Sequence, residues 1–313
     1  MTKTAYVFPG QGSQSIAMMT EWGIHQELVD KVFEEASDAL KYNLKKIVTD
    51  NPENKLNQTE FTQPAMLCAG VASWRVIREY SDFPNPVLLA GHSLGEYTAL
   101  VCSGALSLEE AVNLVSKRGQ YMQLAVKSGE GTMAVVLGLD DEKVIEACSK
   151  SVSGVVEAAN FNAPGQVVIG GHVSAVNEAM EAAKELGAKR VLPVQMSVPS
   201  HCSLMKPAAE NLAVDMNKLK MNKLAFPIVH NQNAAVSESI DEIKGILEKQ
   251  LYQPVRWVES VQMMKSLGVE RIIECGPGKV LAGLTKRIDK SLKGFAVYDY
   301  ESLIKTQQSI LEP

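Results

Sequence analysis

Ser93 lies between two glycines, in the segment GHSLG at residues 91–95. An apolar run from Val87 to Ala90 precedes it, and a helical pattern follows from Leu94, so the serine is predicted to lie on a turn between a strand and a helix. The pattern G-x-S-x-G on such a turn is typical of a nucleophile elbow, whose glycines leave room for a tight turn that exposes the serine Oγ. A serine that only caps the helix is the alternative. The pattern favours covalent catalysis through Ser93.

A nucleophilic serine needs a base, and histidine is the usual one. His25 lies in a polar region where a helix begins, and His172 lies at the start of a predicted surface helix. His92 adjoins the serine, but neighbouring side chains on such a turn point apart, so it is interpreted as a packing residue. Two histidines remain: His201, where the chain returns from a predicted small domain to a large one, and His230, at the end of an apolar strand. The predicted cleft between the domains favours His201, and His230 stays open.

No acid of an ordinary serine–histidine–aspartate triad is apparent in the sequence. Asp140 and Asp141 follow a predicted strand, but they have the position of helix caps. We therefore expect a neutral acceptor to orient the histidine.

Gln11 lies between Gly10 and Gly12, directly after the first predicted strand. Loops at the carboxyl ends of parallel strands gather at one edge of the sheet. The main-chain N–H groups of Gln11 and Leu94 are thus candidates to bind a developing oxyanion. A plain tight turn is the alternative for this loop.

Arg118 carries information about the substrate. Its helical spacing from Ala111, Val115 and Met122 places it on the apolar, inward face of its helix. An unpaired buried charge is costly, so this guanidinium must meet an anion. That anion is either an internal carboxylate or the carboxylate of a substrate, which the two-pronged guanidinium binds well.

Composition limits the class of protein. The chain has 313 residues, a net charge of −5, 21% charged and 46% hydrophobic residues, which predicts a globular protein that does not bind nucleic acid. No long apolar span or signal-peptide pattern is visible, and the five cysteines are scattered without C-x-x-C spacing. We expect a cytoplasmic protein with reduced cysteines and no membrane or metal site.

Alternating strands and helices indicate an α/β fold. Residues 128–198 have the order β-α-β-β-α-β of a ferredoxin-like unit, with a last strand predicted over 188–196. We therefore predict a large α/β-hydrolase-like domain with a parallel sheet, formed by residues 1–127 and 199–313, and an inserted small ferredoxin-like subdomain at 128–198.

Local patterns predict further elements. One helix is expected over residues 26–47, and another over 63–80 with Pro64 at its beginning. Ser107 and Glu110 fit a capping box at the start of the Arg118 helix. A strand is expected over 226–231, and no element is assigned beyond Asp299.

Eight segments together resemble malonyl-CoA:acyl carrier protein transacylases, in the right order and over nearly the whole chain: FPGQGSQ, TQPA, GHSLGEYTAL, the Arg118 helix, NAPGQVVI, SVPSHC, QLYQPVRW and GPGKVLAGLTKR. The resemblance implies transfer of a malonyl group from malonyl-CoA to the phosphopantetheine thiol of an acyl carrier protein, in fatty acid or polyketide synthesis. It implies no metal or cofactor, and we expect a monomer.

The resemblance also implies roles for individual residues. Ser93 would be the nucleophile, His201 the base and Arg118 the clamp for the malonyl carboxylate. Gln11 and Leu94 would donate to the oxyanion. The main-chain carbonyl of Gln250 would hold the histidine, which would explain the missing acid. We further expect Met122, His92 and Gln11 to contact the substrate.

Two other classes stay open at this point. A serine hydrolase uses the same elbow and would turn over its acyl-enzyme with water. A binding or scaffold protein with a relict site would form no acyl-serine.

Overall fold

A computed structural model describes residues 2–194, Met196 and residues 198–311. Its strands are β1 (Thr4–Phe8), β2 (Pro86–Gly91), β3 (Gly131–Leu137), β4 (Val156–Ala163), β5 (Gln166–His172), β6 (Arg190–Val194), β7 (Ile228–Val229), β8 (Val236–Ser237), β9 (Arg271–Cys275) and β10 (Lys293–Val297). Its helices are α1 (Gln26–Leu40), α2 (Leu44–Asp50), α3 (Thr59–Ile77), α4 (Gly95–Cys102), α5 (Leu108–Ala125), α6 (Asp141–Ser149), α7 (Val173–Glu185), α8 (Lys206–Lys218), α9 (Ile240–Gln250), α10 (Trp257–Ser266), α11 (Val280–Ile288) and α12 (Tyr300–Leu311).

The large sheet has the strand order β10-β9-β1-β2-β7-β8, and every pair in it is parallel except β7 with β8. Its central strands β1 and β9 are buried over their whole length, as expected for a sheet covered by helices on both faces. The loops after β1 and β2 therefore leave the sheet at the same edge and lie side by side.

The small sheet is antiparallel, with the order β4-β5-β3-β6. With α6 and α7 packed on it, this is the predicted β-α-β-β-α-β unit. The predicted fold class, an α/β domain with a parallel sheet plus a separate ferredoxin-like unit, is confirmed. Gln195 of the strand predicted over 188–196 lies outside the described residues. The domain boundaries after residues 127 and 198 stay a proposal.

The helix predicted over residues 26–47 is wrong: two helices form there. Lys41 adopts a left-handed conformation with φ of 62° and ends α1. The side chain of Asn43 then accepts a hydrogen bond from the Lys46 N–H at 2.8 Å and starts α2. The apolar period continues across this break because both helices pack on the same core.

The predicted start of the next helix is also wrong. The helix α3 begins at Thr59, so Pro64 lies inside it rather than in its first turn. This first turn packs closely on α5, since a Cβ at Gly119 would lie 2.6 Å from Glu60 Cα. Tertiary packing thus outweighs the hydrogen bond that proline cannot donate.

Elsewhere the elements agree with their patterns or extend them. The capping box of Ser107 and Glu110 is present at the start of α5. Only Ile228–Val229 of the strand predicted over 226–231 is formed, while β8, β10 and α12 had no sequence prediction.

All five cysteines are free thiols. Within the described part of the chain, no helix is both long enough and apolar enough to cross a bilayer.

Candidate active site

Ser93 occupies the turn between β2 and α4 with a left-handed backbone, at φ of 51°. The two glycines of the motif are required by close contact. A Cβ at Gly91 would lie 1.9 Å from the carbonyl carbon of Gly95, and a Cβ at Gly95 would lie 2.0 Å from the carbonyl oxygen of Phe8. The predicted elbow is present, and its strained serine is held by close packing between β1, β2 and α4.

Asn231, which follows β7, holds the elbow from the side. Its Oδ1 accepts a hydrogen bond from the Ser93 N–H at 2.6 Å, and its Nδ2 donates to the Gly91 carbonyl at 2.6 Å. These two bonds replace the regular strand and helix bonds that a sharp turn lacks. Sequence reasoning missed Asn231, whose only signal was its place at a strand end.

His201 is the histidine that meets the serine. Its Nε2 lies 2.7 Å from Ser93 Oγ, and its Nδ1 lies 2.7 Å from the carbonyl oxygen of Gln250. A carbonyl only accepts, so Nδ1 carries the proton and Nε2 is free to accept the proton of Ser93. Burial and the nearby charge of Arg118 lower the pKa of His201 to about 3, which keeps the imidazole neutral at pH 7.

The loop after β1 brings Gln11 to the edge of the elbow. Both Gln11 and Leu94 line the cavity that contains Ser93. Among the described residues, neither main-chain N–H meets an acceptor, while the Gln11 side chain is turned aside and donates to Thr59 Oγ1 at 3.3 Å. Two free N–H groups beside a serine hydroxyl suit an oxyanion site.

Arg118 is 1% exposed and reaches the serine from α5. Its Nη1 donates to Gln63 Oε1 at 2.8 Å, and its Nη2 donates to Gln250 Oε1 at 3.1 Å and to Ser93 Oγ at 3.3 Å. Among the described residues, no aspartate or glutamate forms an ion pair with it, so the internal-acid alternative is not observed. A buried cation whose hydrogen bonds go to neutral oxygens and whose guanidinium lies 5.3 Å from the ring centre of Tyr97 is a site for an anionic group.

His230 has a different partner. It is fully buried behind the elbow, and its Nδ1 lies 2.5 Å from Glu96 Oε1. The described structure gives it no contact with Ser93. The alternative of His230 as the base is therefore not supported by the geometry.

The cavity in front of the serine measures about 720 Å³, which is sufficient for an acyl group and part of its carrier. Met122 lines it and accepts a weak hydrogen bond from Gln63 Nε2 at 3.4 Å. His92 also lines it, with Nε2 2.7 Å from Asn162 Oδ1 of the small sheet, and burial lowers the pKa of His92. The cavity thus lies between the two sheets.

The acyl transferase domain family matches residues 5–303 of the chain. The chain is 48% identical to the malonyl CoA-acyl carrier protein transacylase of Salmonella typhimurium over 304 residues, which cover 97% of this chain and 98% of that protein. The chain belongs to the malonyl-CoA:acyl carrier protein transacylase family.

Solved structures of family members have the same fold. An acyl carrier protein S-malonyltransferase from Vibrio cholerae is 49% identical, with a TM-score of 0.93 over 97% of this chain and 100% of that one. A malonyl-transacylase solved in complex with its type II PKS acyl-carrier protein (PlMCAT with AntF) is 47% identical, with a TM-score of 0.96 over 98% of this chain and 100% of that one.

In this family member the structure brings together the residues that the sequence proposed. Ser93, Arg118 and His201 converge on one point, and Gln11, Leu94, Met122 and His92 surround it. Gln250 makes two contacts in the site, whereas the sequence indicated one. Its carbonyl accepts the hydrogen bond of His201, and its side chain also contacts Arg118. Their catalytic and binding roles stay predictions.

Sequence reasoning missed the supports of these groups. Gln63 stands in the quoted TQPA segment, yet its bond to Arg118 was not foreseen. Glu96 follows the elbow directly and is completely buried. A charged residue on an otherwise apolar helix such as α4 was the available signal.

Proposed function

We propose that this protein transfers the malonyl group of malonyl-CoA to the phosphopantetheine thiol of an acyl carrier protein through a malonyl-serine intermediate. The observation that carries the proposal is the meeting in one cavity of Ser93, His201 and Arg118, which forms no ion pair with a carboxylate among the described residues. A hydrolase of neutral esters would have no use for a buried cation beside its nucleophile.

In the first half-reaction, His201 Nε2 takes the proton of Ser93 as Oγ attacks the thioester carbonyl of malonyl-CoA. The Nδ1–H of the imidazolium stays hydrogen-bonded to the Gln250 carbonyl, and the main-chain N–H groups of Gln11 and Leu94 donate hydrogen bonds to the oxyanion. The tetrahedral intermediate then breaks its C–S bond. Coenzyme A leaves as a thiol with the proton from His201, and malonyl-Ser93 remains.

Arg118 fixes the other end of the malonyl group. Its guanidinium is close enough to contact Ser93 Oγ, so it lies where the free carboxylate of a short acyl chain on that oxygen would reach. Binding the carboxylate there aligns the thioester carbonyl with Oγ, because a single methylene group separates the carboxylate carbon of a malonyl group from its thioester carbonyl carbon. The clamp selects substrates that carry a terminal carboxylate.

The second half-reaction reverses these steps with a new thiol. The phosphopantetheine thiol of the carrier protein gives its proton to His201 and attacks the malonyl-serine ester. The C–O bond to Ser93 breaks, and Oγ recovers the proton from His201. Every step uses side chains and main-chain N–H groups of this chain, so we propose that it needs no metal or organic cofactor.

The proposed partners are malonyl-CoA and an acyl carrier protein, in fatty acid or polyketide synthesis. We propose a cytoplasmic location, which is consistent with the free cysteines.

The test is to incubate the protein with labelled malonyl-CoA and to identify the acylated residue by mass spectrometry. We expect one malonyl group, on Ser93, that moves to added holo carrier protein and is stable in buffer alone. The Ser93→Ala variant should fold, because alanine fits the turn, and should take up no label.

Rapid loss of the label to water would instead support a hydrolase. The absence of any acyl-serine, or malonate on a different residue, would contradict the proposal.

A further inference from the structure

The side-chain amide of Gln250 has a fixed orientation. Its Nε2 donates to the Ser93 carbonyl at 3.0 Å and to Glu96 Oε2 at 2.7 Å, and its Oε1 accepts from Arg118 Nη2 at 3.1 Å. Turning the amide over would place its NH₂ against the guanidinium and its oxygen against two other oxygens. The oxygen must therefore face Arg118.

Glu96 imposes this orientation on the Gln250 amide. Its carboxyl group receives three N–H donors, from His230 Nδ1 at 2.5 Å, from the Asn231 main chain at 3.2 Å and from Gln250 Nε2. Only an acceptor satisfies three donors at once, and Glu96 is completely buried. The side of Gln250 that faces Glu96 is thereby restricted to its NH₂ group.

The consequence concerns the charge of Arg118. The guanidinium is anchored by two neutral oxygens, of Gln63 and Gln250, while the nearest buried carboxylate of this network binds the opposite end of the Gln250 amide. A carboxylate in direct contact would neutralise the cation and compete with a substrate. Gln250 therefore orients Arg118 without neutralising it.

We infer that Glu96 is a positioning residue for malonyl selectivity, acting through the Gln250 amide on Arg118. This inference rests on the proposed function, because it concerns the clamp for the malonyl carboxylate. It assigns Glu96 no contact with the substrate. What it determines is the ratio of malonyl to acetyl loading.

The first test compares two replacements of Glu96 in single-turnover loading of Ser93 with malonyl-CoA and with acetyl-CoA. Glu96→Met has a similar length but no acceptor, so the Gln250 amide loses its orientation, and we expect the malonyl-to-acetyl ratio to fall about tenfold or more. Glu96→Gln keeps an oxygen that can face Gln250, so the ratio should stay within about threefold of the unchanged protein.

The second test moves the buried negative charge from position 96 to position 250 and leaves the net charge of the protein the same. In the double variant Glu96→Gln/Gln250→Glu, the new amide at 96 can donate to the new carboxylate at 250, whose other oxygen then pairs with Arg118. We expect the malonyl-to-acetyl loading ratio to fall roughly thirtyfold or more, because the carboxylate at 250 neutralises the cation that only the malonyl group uses.

Glu274→Met is the matched control. Glu274 is another completely buried glutamate, but it lies in β9 and accepts a hydrogen bond from the Ala282 N–H at 2.8 Å, away from the cavity residues. Its replacement should lower the melting temperature and leave the malonyl-to-acetyl ratio unchanged. Melting temperatures of all variants separate lost stability from lost selectivity.

If the malonyl-to-acetyl ratio of both Glu96→Met and the double variant equals that of the wild-type protein, the inference is overturned. The proposed function is still upheld in that case, provided that the wild-type protein forms malonyl-Ser93. An equal fall of both substrates would assign Glu96 a purely structural role and would also overturn it. An unchanged protein that forms no malonyl-Ser93 would overturn both.

Discussion

The two faces of the nucleophile elbow each carry a buried histidine with a close acceptor. In front, His201 lies 2.7 Å from Ser93 Oγ and is held by the main-chain carbonyl of Gln250. Behind, His230 is held by the carboxylate of Glu96 and does not contact the serine. The histidine–carboxylate pair that a serine enzyme would be expected to use is present, but on the other side of the turn.

The difference follows from what each face must bind. A carboxylate against His201 would add a negative charge close to Arg118 and to the malonyl carboxylate that it is proposed to hold. A carbonyl fixes the tautomer of His201 without that charge. Behind the elbow, Glu96, His230 and Asn231 are completely buried and do not line the cavity, so a carboxylate there can anchor His230, Asn231 and Gln250 together.

The largest expected effect separates the two histidines. His201→Ala removes the base and should lower malonyl loading by about 10⁴ to 10⁶. His230→Gln keeps a donor for Glu96, so loading per folded molecule should stay within about tenfold, with the main change in melting temperature. Rapid-quench measurement of acyl-Ser93 gives the loading rates. An equally severe loss of loading rate in His230→Gln would contradict the assignment of catalysis to His201 and of structural support to His230.

The second effect tests the charge on the front face. Arg118→Ala should lower kcat/KM for malonyl-CoA about thirtyfold or more, because truncating one partner of a buried charge pair costs roughly 2–5 kcal/mol. Acetyl-CoA should lose much less, and Arg118→Lys should restore malonyl transfer only in part, because it lacks the fork. Equal losses for both substrates would mean that Arg118 supports the fold and not the substrate.

The smallest effect is on stability and concerns the neutral state of His201. Its pKa falls from an ordinary value of 6.5 to about 3 in the folded protein. Below pH 6.5, therefore, this histidine binds a proton in the unfolded chain but stays unprotonated in the folded protein. The free energy of unfolding should therefore decrease as the pH falls through this range, by at most about 1.4 kcal/mol per pH unit.

Urea titrations at pH 7.5 and 5.5 test this, with His201→Gln as the control. The variant should lose less stability than the unchanged protein between these two pH values. The pKa of His92 is also lowered by burial, but His92 is present in both proteins, so the comparison isolates His201. Equal losses would contradict a buried, neutral His201.

The sequence predicted well where a constraint lies within a few residues. The elbow is encoded by two glycines at fixed distances from Ser93, and the clash that Gly91 avoids occurs with Gly95 inside the same turn, although the clash that Gly95 avoids is with Phe8 of β1. The capping box of Ser107 is equally local. The helix break at Lys41 was not visible, because a lysine in a left-handed conformation leaves no residue-type signal and the apolar spacing continues beyond it.

By itself, then, the sequence determined the α/β class, the elbow, the inward face of Arg118 and the succession of strands and helices along the small unit, since periodicity and turn chemistry are properties of short segments. Only the tertiary structure decided which histidine meets Ser93 and which acceptors surround Arg118. Ser93 and His201 are 108 positions apart, and Arg118 and Gln250 are 132 apart. Such contacts depend on the strand order of the large sheet and the docking of α5 and α9 beside it, because loop closure over these distances carries no local preference for one partner over another.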